Sequence, residues 1–250
     1  MSRAMEKYLR PGVKGTPFCP GCGHGILMNC LLRAIDSLGL DMEKMVFVSG
    51  IGCAAWIPSP HFKADTLHTL HGRAIAFATG VKLFKPELTV VVVSGDGDLS
   101  SIGGNHLIHA ARRDLDLKVI CANNMVYGMT GGQVASTTPR GAKTATTAGG
   151  NPYRPFDLSR LARAAGATYV ARYSVTQPVG LINSLKKALQ HVGFSFVEVL
   201  SPCPTQFGRR NSLGRPEDMI QDLIRRSILK EEAESLSKEE LAGMIVTGEF

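Results

Sequence analysis

Residues 88–96, LTVVVVSGD, form an apolar run of strand length that stops in a Ser-Gly-Asp turn. A strand with one wet face alternates apolar and polar residues. An unbroken apolar run requires burial on both faces, with helices packed above and below the sheet. Four other segments share this character: 44–52 (KMVFVSGIG), 117–124 (LKVICANN), 167–172 (ATYVAR) and 194–201 (FSFVEVLS). Between them, residues 24–38, 72–84, 103–113, 156–165 and 177–191 carry helical periodicity. The order predicts an α/β fold: a doubly wound, mostly parallel sheet with helices on both faces. Residues 1–212 hold this alternation, and residues 213–250 read as a helical tail for packing or subunit contact.

Composition narrows the function. The chain has a formal charge of +7, but its 28 Lys and Arg are scattered and aromatics are only 6% of residues. A stacking, basic nucleic-acid surface is therefore not expected. No stretch approaches the roughly 18–20 apolar residues of a membrane helix. The basic N-terminal residues lack the apolar run of a signal peptide, so a soluble, cytoplasmic protein is expected. Reducing surroundings make disulfides a poor use for six cysteines, and metal or cluster ligation a better one.

In an open parallel sheet, ligands gather beyond the carboxyl ends of the strands. Three such ends here carry distinctive chemistry. At Gly95-Asp96-Gly97-Asp98 a carboxylate sits in a sharp glycine turn, suited to a hard cation such as Mg²⁺. Asn123-Asn124, ending the next strand, offers amide oxygens to the same ion, and the Tyr127–Gly132 backbone could cradle phosphate. At the third end, Gly52-Cys53 could meet Cys19 and Cys22, and Cys203 after the last strand completes a set of four. Four such cysteines suit either a Cys₄ zinc site or a [4Fe–4S] cluster. Cys30 and Cys121 fall at core positions and read as buried thiols.

Together CPGCGHG, GIGC, LHTLHGRAIAFATGVK, GDGD…IGGNHLIHAARR, NNMVYGMTGGQ and CPTQFGRRN resemble the β subunit of 2-oxoacid:ferredoxin oxidoreductases, from about residue 17 to about residue 212. The resemblance implies a sheet of the thiamine-diphosphate-binding type and an obligate α subunit in a hetero-oligomer. It also implies a [4Fe–4S] cluster on Cys19, Cys22, Cys53 and Cys203. Mg²⁺ would rest on Asp96, Asn124 and the Val126 carbonyl. Gly52, Cys53, Gly95, Gly97, Asp98 and Thr130 would surround thiamine diphosphate, with His71 and Arg73 facing the reacting carbon and the substrate carboxylate. The implied reaction is oxidative decarboxylation of a 2-oxoacid with CoA, electrons passing through the cluster to ferredoxin, and reversal by reduced ferredoxin is open to it.

The motifs look most like the 2-oxoglutarate branch. Members acting on dicarboxylates commonly carry Lys or Arg three residues after the GIGC cysteine, where this chain has Trp56. An indole there suits an apolar, branched or aromatic 2-oxoacid, unless His61 or Lys63 supplies the cation. More distant readings are a non-redox thiamine-dependent decarboxylase, which would leave the cysteines idle, and a zinc-stabilised nucleic-acid module, which would leave GDGD and NNMVYGMTGGQ idle. Arg140 and Lys143, in the Thr- and Gly-rich segment 128–152, are expected to meet the phosphates of CoA.

Overall fold

A computed structural model describes residues 3–13 and 15–250. Met1, Ser2 and Lys14, part of the segment read above for targeting, lie outside them. The expected strands form at β1 (Met45–Ser49), β3 (Thr89–Gly95), β4 (Lys118–Asn123), β7 (Tyr169–Ser174) and β8 (Ser195–Leu200). The expected helices form at α1 (His24–Leu38), α2 (Ala74–Phe84), α3 (Gly104–Arg112), α4 (Leu158–Ala164) and α5 (Pro178–Gln190). Short strands β2 (Asp65–His68), β5 (Val126–Tyr127) and β6 (Gln133–Val134) add to these, and β5 and β6 pair with each other alone.

The valine run shows why the sheet is buried twice. Val91 and Val93 pack with Leu27, Leu31, Ile35, Leu181 and Leu185 of α1 and α5. Val90 and Val92 turn to the opposite face, against Ala74, Ile75, Leu107 and Ala110 of α2 and α3. Each fully buried valine stabilises the fold by about 1.5–3 kcal/mol, so the strand has no face left for solvent. Helix ends follow local chemistry. Gly39 (φ 61°) closes α1, its N–H bonding back to Asp36 O, and the Asp157 side chain accepts from Arg160 N to start α4.

With β9 (Ser227–Leu229) and β10 (Ile245–Glu249), the eight-stranded sheet runs β2-β1-β3-β4-β8-β7-β10-β9, and the six strands from β2 to β7 are parallel. The segment after residue 213 differs from the expected helical tail. It holds α6 (Pro216–Arg226), β9 (Ser227–Leu229), the one-turn α7 (Lys230–Ala233) and β10 (Ile245–Glu249). β10 pairs antiparallel with β7 and so extends the main sheet. The polar, exposed DTLH of β2 gave no apolar signal, because an edge strand is held by its neighbour's backbone rather than by its own side chains. Among the described residues no helix is long and apolar enough to cross a membrane.

Candidate functional site

Four adjacent parallel strands end along one edge of the sheet, and each delivers one candidate residue. β1 leads to Cys53, β3 to Asp96, β4 to Asn124 and β8 to Cys203. Two adjoining cavities result. A small one, about 30 Å³, is lined by Gly52, Cys53, Gly95, Asp96, Gly97, Asp98, Asn124 and Val126, and also by His24 and Tyr127. A larger one, about 250 Å³, is lined by Cys19, Cys22, Cys53 and Cys203 with Phe18, Trp56, Asn124 and Met129. Cys53, Asn124 and Gly128 belong to both.

In the small cavity Asp96 is buried, and both carboxylate oxygens are engaged. Oδ1 accepts from Asn124 N (3.3 Å) and Oδ2 from the Thr137 hydroxyl. Burial raises the Asp96 carboxyl to about 6 despite these donors. Such a carboxylate awaits a positive charge. The turn is fixed from outside as well: Ser100 Oγ donates to Asp96 O (2.6 Å) and Tyr127 Oη to Gly97 O (2.8 Å). Asp98–Ile102 forms a π-helical turn, a local widening frequent at functional sites. Asn124 Oδ1 accepts from Val126 N (3.3 Å), and Met125 between them takes a left-handed backbone (φ 67°). This donor set — a buried carboxylate, an amide oxygen and a glycine turn — has the hard-oxygen character that Mg²⁺ requires, and the residues fit that ion.

Asp98 also lines this cavity, but its carboxylate is committed elsewhere. Oδ1 accepts from Gly72 N (2.7 Å) and faces His71 Nδ1 at 3.3 Å, while Oδ2 accepts from Ser94 Oγ (2.5 Å). Asp98 therefore holds the His71-Gly72 turn. His71 packs edge-on to Tyr127, with ring centroids 6.5 Å apart. Arg73 caps α2 and donates to Gly72 O (3.3 Å) and Ile102 O (3.4 Å). His71 and Arg73 thus stand beside the small cavity rather than in its wall. Thr130 is exposed, donates to Gln133 Oε1 (2.6 Å), and lines neither cavity.

The cysteine cavity is assembled by docking the start of α1 onto the loop after β8. Gly23 N donates to Pro202 O (3.3 Å), and His24 Nδ1 lies in hydrogen bond with Ser201 Oγ at 2.7 Å. A Cβ at Gly23 would stand 2.6 Å from Ser201 Oγ, so only glycine lets Cys22 approach Cys203 this way. A Cβ on Gly128 would stand 3.6 Å from the Sγ atoms of both Cys53 and Cys203. Burial, with the neighbouring thiols adding, pushes Cys22 up to about 12 and Cys53 to about 11. All six cysteines are unbridged. Among the described residues no three Cys, His, Asp or Glu side chains converge on a point for one metal ion. The four cysteines lining one cavity are the residue set that a [4Fe–4S] cluster or a Cys₄ zinc site would use.

Trp56, His61 and Lys63 bear on the substrate question. Trp56 lines the cysteine cavity and not the one around Asp96. His61 is buried against Gly15 O (3.2 Å), and Lys63 lines a separate cleft with Tyr8 and Asp41. The indole therefore borders the cysteines. Sequence reasoning missed Thr137, His24 and the Tyr127 hydroxyl. Burial pushes His24 down to about 4, so it is held neutral in the wall of the small cavity. The signal for Thr137 was the Thr-rich segment itself. Thr138, Thr144 and Asn151 bury their side chains to knit that segment down, and Lys143 is pegged there through Asn211.

Comparison with known proteins agrees with this arrangement. Residues 50–199 match the family model of the thiamine pyrophosphate enzyme C-terminal TPP-binding domain. The chain is 52% identical to the 2-oxoglutarate synthase subunit KorB of Methanocaldococcus jannaschii, over 98% of this chain and 90% of that protein. It is 44% identical to the 2-oxoacid:ferredoxin oxidoreductase subunit beta of Saccharolobus solfataricus, over 77% and 64%. Among solved structures it superposes on the 2-oxoglutarate:ferredoxin oxidoreductase of Magnetococcus marinus with 2-oxoglutarate, coenzyme A and succinyl-CoA bound. That match has a TM-score of 0.86 and 34% identity, covering 98% of this chain and 83% of the other.

Proposed function

We infer the function from the premise that this chain belongs to the β subunits of the 2-oxoacid:ferredoxin oxidoreductases, in their 2-oxoglutarate branch. It serves the oxidative decarboxylation of 2-oxoglutarate with CoA, and an α subunit completes the enzyme. When bound, thiamine diphosphate supplies the nucleophilic carbon and electron sink for decarboxylation, and a [4Fe–4S] cluster carries the electrons away one at a time to ferredoxin.

The chain's own residues prepare both halves of this chemistry. Asp96 and Asn124, with the Val126 carbonyl, would hold Mg²⁺ against the diphosphate. Gly95 and Gly97 keep the backbone close, and the buried surroundings strengthen each charge contact. Asp98 fixes His71 and Gly72 beside the small cavity, where His71 would face a bound cofactor. Cys19, Cys22, Cys53 and Cys203 would hold the cluster. Trp56, Phe18 and Met129 line the same cavity and would give the cluster an apolar surround that slows the escape of iron.

One observation carries the reading: the oxygen-lined and cysteine-lined cavities share the wall made by Cys53, Asn124 and Gly128. A cofactor that must give up electrons would lie against their acceptor. The test uses the chain co-expressed anaerobically with its α partner, following the visible thiolate-to-iron absorbance after CoA and one 2-oxoacid are added. Bleaching with 2-oxoglutarate is expected. Bleaching only with aromatic or branched 2-oxoacids would keep the mechanism and overturn the substrate. Zinc in place of iron would overturn the cluster and the redox step.

A further inference from the structure

One row of charge in the sheet is left unexplained by the chemistry above. Glu198 on β8 and Arg172 on β7 are register neighbours, both buried, on the face that packs Phe196 and Val170 against α4. Arg172 Nε donates to Glu198 Oε2 (2.8 Å), which also accepts from Ser159 Oγ (2.8 Å). Arg172 also pairs with Asp157, and its Nη1 donates to Val246 O (3.3 Å) on β10. Buried ion pairs are a poor source of stability, because desolvation consumes most of the Coulombic gain. Their use lies in fixing a geometry.

The geometry in question is reached through the other oxygen of Glu198. Glu198 Oε1 accepts from Asn123 Nδ2 (2.7 Å), and Asn123 Oδ1 accepts from Met125 N (3.1 Å). A carboxylate can only accept, so it determines which end of the Asn123 amide faces it. The amide oxygen is thereby left pointing at Met125 N–H. That bond closes a short turn around Asn124 and holds Met125 at φ 67°, a conformation a non-glycine residue adopts only under constraint. Thr138 Oγ1 holds the same residue from the other side, donating to Met125 O (2.6 Å). The turn in turn aims Asn124 and Val126 at Asp96.

We propose that Glu198 is a positioning residue for the cofactor-metal loop: by fixing the Asn123 amide it holds Met125 left-handed and Asn124 facing Asp96. This rests on the reading of Asp96 and Asn124 as Mg²⁺ ligands. Arg172 and Ser159 hold the Glu198 carboxylate in place through their hydrogen bonds, and through Arg172 the last strand of the sheet supports the loop. Glu198→Gln removes the restriction, since a glutamine presents either an oxygen or an NH₂ to Asn123. The turned amide would then aim its own NH₂ at Met125 N–H.

The test measures Mg²⁺-dependent binding of thiamine diphosphate to the αβ complex by titration calorimetry, alongside turnover at saturating cofactor. Glu198→Gln is expected to weaken Mg²⁺ binding about 10–100-fold, as for other residues one shell from a metal, with kcat at saturation nearly unchanged. The double variant Asn123→Asp, Glu198→Gln should restore affinity, because the new carboxylate accepts from Met125 N–H and from the glutamine NH₂. Asn123→Ala, which leaves the Arg172–Glu198 pair in place, should show the same loss if Glu198→Gln fails to fold. Wild-type affinity in both single variants would overturn the proposal, as would a double variant no tighter than Glu198→Gln. Asp96→Ala separates the two readings. If it retains cofactor affinity, the metal site itself is misassigned. If it loses affinity while the Glu198 and Asn123 variants keep theirs, only the positioning role is overturned.

Discussion

The two adjoining cavities are built on opposite principles although they share a wall. Around Asp96, donors are already in place: Thr137 and the Asn124 N–H hold the carboxylate, while Ser100 and Tyr127 hold the turn. Around the cysteines, apolar side chains line the cavity, and burial with the neighbouring thiols raises Cys22 and Cys53. The first site is pre-organised and carries one electrostatic debt, a buried acid. The second is a shaped space in which bound metal would favour the thiolate form of its ligands. The cofactor site should therefore tolerate loss of its metal better than the cluster site does.

Removing a cysteine should have the largest effect. Cys203→Ser in the αβ complex is expected to abolish iron and sulfide retention, and ferredoxin reduction with it, while thiamine diphosphate still binds. Full iron content by elemental analysis would break the assignment.

Asp96→Asn should do the converse. Cofactor affinity is expected to fall more than about 100-fold, beyond the effect of a residue one shell out, with the visible absorbance of the cluster intact. A bleached apoprotein would mean the two sites are one cooperative unit.

A third test uses pH on the cofactor-free chain. The folded Asp96 carboxyl lies near 6, above its ordinary 3.8, so its stabilisation is complete below pH 3.8 and lost as pH rises through 6. His24 lies near 4, below its ordinary 6.5, so its contribution is complete above pH 6.5 and lost as pH falls through 4. Each is worth about 3 kcal/mol, at 1.36 per pH unit, and they oppose each other between pH 4 and 6. Urea midpoints of the wild type should be nearly flat there. Asp96→Asn should gain stability with rising pH, whereas His24→Gln should lose it. Parallel slopes in the two variants would show that neither group is held as described.

The smallest effect belongs to the apolar wall. Trp56→Ala should speed iron removal by a chelator several-fold and leave the preference for 2-oxoglutarate unchanged. A shift toward aromatic 2-oxoacids would return Trp56 to the substrate pocket.

The sequence carried more of the frame than of the site's wiring. Residues 24–38 were legible as a helix to the residue, since their period faces a single core and Gly39 ends them locally. Asp96, Asn124, Cys53 and Cys203 were legible as strand-end residues, because a run buried on both faces announces where it stops. Asp98, by contrast, looked like a second diphosphate contact beside Asp96. Its carboxylate also serves His71 and Gly72, 27 and 26 residues away in the chain. Thr137 could not be singled out among its neighbouring threonines, because what distinguishes it is a partner 41 residues distant.

Burial on one or both faces is written in local periodicity, and so the sequence alone determined the five buried strands, the five core helices and the residues at those strand ends, but not the strands β2, β9 and β10. Which strands lie side by side is a property of the assembled sheet. Only that order brought Cys53, Asp96, Asn124 and Cys203 to one edge, turned Trp56 toward the cysteines, and drew β10 in beside β7. A side chain's partner depends on contacts made across the whole chain, and no window of neighbouring residues contains them.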